Sequence, residues 1–96
     1  MITIEPSTKP GKKMTATVGG RKIHFGQKGA ADFTTHGDRK RKENYIKRHR
    51  PTENWGKTGM DTAGFYAKHV LWNQDTVTKS IAHMNKNFGN KFIYKR

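Results

Sequence analysis

Hydrophobic positions change their spacing along the chain. From Lys12 to Phe25 they alternate loosely. Met14, Ala16 and Val18 fall on one side of an extended segment, and Ile23 and Phe25 share one side of the next. Gly19-Gly20 supplies the positive φ angles of a tight turn, so 12–25 reads as a β-hairpin. Lys13, Lys22 and His24 lie on its other face. From residue 38 the spacing becomes helical. Lys42, Tyr45, Ile46 and His49 recur at i, i+3, i+4 and i+7, which predicts a helix over 38–49. Asp38 suits its positively polarised start, Lys47, Arg48 and His49 suit its end, and Pro51 stops it. Over 62–72, Ala63, Tyr66, Ala67, Val70 and Leu71 make one stripe and Phe65, His69 and Trp72 a second. A helix apolar on most of its circumference is buried, with Asp61 or Thr62 as its cap. Val77, Ile81, Met84 and Phe88 stripe a third helix, 77–88, between Thr76 as N-cap and Gly89 as C-cap.

The remaining segments connect or flank these elements. Pro6, Pro10 and Gly11 punctuate residues 1–11, which read as a flexible N-terminal arm. Gly26 to Gly37 reads as a loop with Phe33 as its anchor, and Pro51 to Met60 as a connector carrying Trp55. The tail 90–96 is a third strand beside the hairpin or a second arm. A hairpin alone is barely stable, so a helix should cover its apolar side. The expectation is a small single-domain α+β fold. A globular basic domain over 12–89 packs an N-terminal hairpin against about three short helices.

Composition turns attention to charge. Apolar residues are 31% of the 96, so the core is thin, and ten aromatics partly offset this. Twenty Lys and Arg oppose seven Asp and Glu, a net charge of +13. Such a balance favours nucleic acid, an anionic membrane surface or an acidic protein. The absence of cysteine excludes disulfides and thiolate metal sites. No apolar run reaches the ~18 residues of a membrane span, and MITIEPSTKPGKK lacks the apolar stretch of a secretory signal. The expected location is inside a cell, or inside a particle assembled there.

Catalytic and metal-binding patterns are missing. His24, His36, His49, His69 and His83 show no i, i+3 or i, i+4 pair. His36, Asp38 and Asn54 lack the spacing of a metal-dependent nuclease. Gly26-Gln27-Lys28-Gly29 lacks the Gly-Lys-Ser/Thr ending of a phosphate-binding loop. Glu43 is expected to pair with Arg39, Lys40 or Lys47 along the helix, and Glu53 with a nearby cation. No catalytic residue, metal, cofactor or small-molecule substrate is expected. Phosphate contact remains. Arg39, Lys40, Arg41, Lys42, Lys47, Arg48, Arg50 and Lys57 form one cationic block. Lys12, Lys13, Arg21, Lys22 and Lys28 form a second on the hairpin side. Arginine grips phosphate bidentately and lysine acts as a point charge. Asn44 is the only obvious base-reading amide on the basic helix, which argues for backbone contact over sequence reading. Trp55 and Trp72 can each fill the core or stack on bases.

Several uncommon words stand in order between 23 and 88: His24-Phe25-Gly26, Asp32-Phe33-Thr34-Thr35-His36, Arg41-Lys42-Glu43-Asn44-Tyr45-Ile46-Lys47-Arg48-His49, Glu53-Asn54-Trp55, Thr62-Ala63-Gly64-Phe65, Leu71-Trp72-Asn73 and Ser80-Ile81. In these the chain resembles a family of small basic proteins of unknown function from giant and other large nucleocytoplasmic DNA viruses. Tyr66 and Ala67 depart from that family's polar-plus-tryptophan step, and Asp75 replaces a proline. The resemblance implies a viral protein packaged in the virion. With the charge, it makes the expected function non-enzymatic, largely sequence-independent DNA binding that compacts a genome. Double-stranded DNA is the expected partner, RNA stays open, and many copies, self-associating, would act together. The alternative is a minor structural virion protein that binds acidic capsid or membrane-protein surfaces.

Overall fold

The alternation over the hairpin produces two antiparallel strands in the computed structural model, which describes residues 1–96. These are β2 (Lys12–Val18) and β3 (Arg21–Gln27), with Val18 opposite Arg21 and Lys12 opposite Gln27. Gly19 and Gly20 turn the chain between them at φ of 55° and 84°. The sheet extends beyond the hairpin. β1 (Ile2–Pro6) runs antiparallel to β2, and β4 (Phe92–Tyr94) runs parallel to β1, in the order β3-β2-β1-β4.

Residues 1–11 are therefore not a free arm. Ile2 and Ile4 alternate with Thr3 and Glu5, and Ile4 is fully buried. Pro6 sits at the strand's end, where its missing N–H costs little. Beyond it, the Ser7 hydroxyl lies 2.8 Å from His24 Nδ1, and Thr15 Oγ1 lies 2.9 Å from the same nitrogen. The tail is a strand, as one expectation held, but it pairs with β1 rather than with the hairpin.

The helices are α1 (Phe33–His36), α2 (Arg39–His49), α3 (Ala63–Tyr66) and α4 (Val77–Phe88). A 3-10 turn spans Lys57–Gly59. Asp32, Asp38, Thr62 and Thr76 cap the four helices with their side-chain oxygens. One face of the sheet meets α3 and α4. The core joins Ile4, Met14, Ala16, Ile23, Phe25 and Phe92 to Phe65, Tyr66, Val70, Leu71, Ile81 and Met84.

The expected helix over 62–72 changes type midway. After Tyr66 it widens into a π turn, Ala67–Leu71. A π turn takes more residues per revolution than the 3.6 of an α-helix, and so it shifts the residues beyond it and splits the second predicted stripe. Phe65 and His69 stay together, ring centroids 4.4 Å apart, and His69 meets Phe88 of α4 at 5.2 Å. Trp72 instead turns towards α2, where its ring lies parallel to Tyr45 at 4.5 Å. The buried His69 donates from Nε2 to the Trp55 carbonyl at 2.8 Å. Burial pulls its pKa down to about 4, against the opposing effect of that hydrogen bond and with help from the nearby Lys68 and His83.

Candidate nucleic-acid interface

Helix α2 joins the body through a small satellite cluster beside the main core. Its inner face is the one expected: Tyr45 is buried, and Lys42, Ile46 and His49 are half-buried. Tyr45 lies between His49, at 4.1 Å, and Trp72, at 4.5 Å, making a three-ring stack. His36 of α1 meets the indole of Trp72 at 5.4 Å. The π turn thus delivers the ring on which the basic helix rests.

Two expected phosphate contacts are committed inside the protein. The Lys42 ammonium reaches the Asn73 carbonyl at 2.5 Å and lies 4.9 Å over the Phe33 ring. Burial, then Arg39, holds its pKa below the usual lysine value. Its place on the inner face of α2 makes it an anchor. Lys13 pairs with the buried Asp32 carboxylate at 2.5 Å and also donates to the Ala30 carbonyl. Asp32 caps α1 as well, accepting from the Thr34 backbone N–H at 2.9 Å. One carboxylate therefore fixes both the β3–α1 loop and the start of β2.

The other α2 cations are free. Arg39, Lys40, Arg41, Lys47, Arg48 and Arg50 are exposed, as is Lys57 beyond the helix. The only ion pairs in the protein are Lys13–Asp32 and Lys79–Asp75. Glu43 and Glu53 consequently form none of the pairs expected of them. At 100° per residue, Lys40 and Lys47 sit on the outermost ridge of α2, while Arg41, Asn44 and Arg48 turn to one flank. Arg39, Glu43 and Arg50 turn to the other. Glu53 packs instead over Gly64, where any side chain would overlap its carboxylate.

The hairpin cations divide by register. Lys12 and Lys28 lie at the end of the hairpin beside α2, where Lys13, Gly26, Gln27, Arg48 and His49 line one shared cleft. Arg21 and Lys22 flank the Gly19-Gly20 turn, at the other end of strands about 20 Å long. The second block is not one surface. Lys12 and Lys28 lie at the hairpin end nearest α2, and Arg21 and Lys22 stand apart from it.

The Arg41 flank opens onto a groove of about 440 Å³, whose walls carry Ala31, His36, Arg41, Asn44, Arg48 and Trp72. His36 Nδ1 accepts from the Asp38 backbone N–H at 2.8 Å, which leaves the proton on Nε2. That Nε2 is shielded from water and has no partner within the protein. An unmet buried donor costs about 1–3 kcal/mol. Sequence reasoning missed this groove because it depends on the turn of Trp72 towards α2. The quoted words Asp32–His36, Arg41–His49 and Leu71–Asn73 meet around it. No group of His, Asp and Glu is arranged to hold a metal ion.

A small α+β domain, its sheet covered on one face and a cationic helix carried at its margin, is the class this fold defines. Residues 2–49 match a family described as a family of unknown function (DUF5754), and the chain belongs to it. The matched half contains β1, β2, β3, α1 and α2, and it ends with the basic helix. No curated protein and no solved structure matches the chain. No helix is long and apolar enough to cross a membrane.

Proposed function

We propose that the protein binds nucleic acid through its phosphate backbone, largely without regard to sequence, and that it neutralises and compacts a viral genome inside the particle. Double-stranded DNA is the expected form. One observation carries this reading: six exposed cations project from α2 and its C-cap without an acidic partner, while the inner face of the helix is held by Tyr45, Lys42 and Trp72. Unpaired like charges on one short helix repel one another, and a polyanion relieves that cost. Lys12 and Lys28, at the hairpin end nearest α2, add two more cations within reach of the same strand. The viral setting is supported by the resemblance in the words between His24 and Ile81.

The outer ridge provides the test. Replacing Lys40 and Lys47 together by Glu should lower duplex affinity about 10- to 100-fold at 50 mM salt. Helix content measured by circular dichroism should be unchanged, because neither side chain touches the body. Unaltered duplex affinity would remove DNA from this surface and leave acidic capsid or membrane proteins as its partner.

A further inference from the structure

We propose that the groove beside α2 seats one unpaired nucleotide of a bound strand, its base against the Trp72 indole and its flanking phosphates on Arg41 and Arg48. The inference rests on the nucleic-acid reading above and adds to it a preference for unpaired over paired bases.

Size comes first. At about 440 Å³ the groove lies in the range of small-molecule sites and is far larger than one phosphate requires. Arg41 and Arg48 are seven residues apart on α2, about 10 Å along its axis. That separation serves two phosphates better than one, with Asn44 a single turn from Arg41 and placed to meet a base edge.

The wall is aromatic and already ordered. Trp72, Tyr45 and His49 form a continuous stack, with Tyr45 and Trp72 only 5° from parallel. Trp72 is half-buried, so part of its indole faces the groove. Only an unpaired base offers its face to such a ring; a base inside a duplex is covered above and below. His36 stands at the same wall, and its Nε2–H, unpartnered and closed to water, meets an acceptor only when the ring tips into the groove. Carbonyl oxygens and ring nitrogens of bases provide that acceptor.

The measurement uses the full chain carrying Trp55→Phe, which leaves Trp72 as the only tryptophan. A single-stranded oligothymidine, a blunt duplex and inorganic polyphosphate are titrated at equal phosphate concentration in 100 mM salt. Quenching of Trp72 emission by the single strand alone is expected. In the unmodified background, His36→Phe and Asn44→Leu should each weaken single-strand binding about fivefold or more and change duplex binding less than twofold. His36→Phe keeps an aromatic ring at the wall but removes the acceptor of the Asp38 backbone N–H, so it should lower the melting temperature by several degrees without unfolding the protein. Equal quenching by polyphosphate, or no quenching with single strand and duplex bound alike, would overturn the nucleotide seat and leave backbone binding standing. If neither nucleic acid binds even at 50 mM salt, the function proposed above fails first. Should Trp55→Phe not fold, the two groove variants decide, and equal losses for both nucleic acids would reject the seat.

Discussion

His69 shows how one side chain couples burial to stability. Its folded pKa lies at about 4, below the ordinary value near 6.5, because burial of the ring against Phe65 and Phe88 outweighs the raising effect of its bond to the Trp55 carbonyl. The unfolded chain therefore takes up the proton first as pH falls. The stabilisation is fully present above pH 6.5 and is lost between 6.5 and 4, by at most about 3 kcal/mol. Thermal melts at pH 7, 5.5 and 4 should show falling stability across that window, and His69→Phe should flatten the dependence. Lys13 makes a second test. Because it neutralises the buried Asp32, Lys13→Gln should cost about 2–4 kcal/mol in denaturant melts. It should leave the salt dependence of DNA binding unchanged, in contrast to the loss of an exposed cation such as Lys40. In sequence, Lys13 is indistinguishable from its neighbours, and Lys42 shows its place on the inner stripe of α2 but not its partner. Only the fold brings Asp32 to one and the Asn73 carbonyl to the other.

Among the elements, the readable ones carry their own local signals. The hairpin has alternation and a Gly-Gly turn. Helices α2 and α4 have stripes bounded by Asp38, Thr76 and Gly89, and both occur where spacing places them. Strand β1 was hidden by its brevity and by Pro6, since Ile2 and Ile4 are too few for a period to show. The π turn was hidden because a helical stripe assumes 3.6 residues per turn throughout, and tertiary packing overrides that here. The 51–60 connector is more tightly built than its polar composition suggests. A Cβ at Gly59 would overlap the Asn54 backbone carbonyl, which no side-chain rotation can relieve. Gly59→Ala should therefore destabilise the protein by about 2 kcal/mol or more. A fall of several degrees in melting temperature would register it, while Gly56→Ala, whose nearest neighbour is 3.5 Å away, should change little.

The molecule as a whole measures 34 × 28 × 24 Å, so its long axis spans about one turn of B-form DNA. Such a turn carries about 20 phosphate charges, and a net +13 would neutralise about two-thirds of them per bound copy. Coverage by many copies would then approach neutrality, the condition for compaction. The cations are not spread evenly. Nine unpaired ones lie on α2 and its end, at Lys57 and at the adjoining hairpin end, Arg21 and Lys22 lie at the far turn, and Lys9, Lys68, Lys86, Lys91, Lys95 and Arg96 lie elsewhere. Under the proposed function the α2 side would meet the duplex, and its cations set how many counterions a duplex should release. The most direct measurement is duplex affinity as a function of salt. With about six to nine phosphates contacted, log K against log salt should be linear with a slope of about −5 to −8, and affinity should fall about 10³- to 10⁵-fold between 50 and 200 mM. A slope shallower than about −2, or no binding at 50 mM, would contradict it.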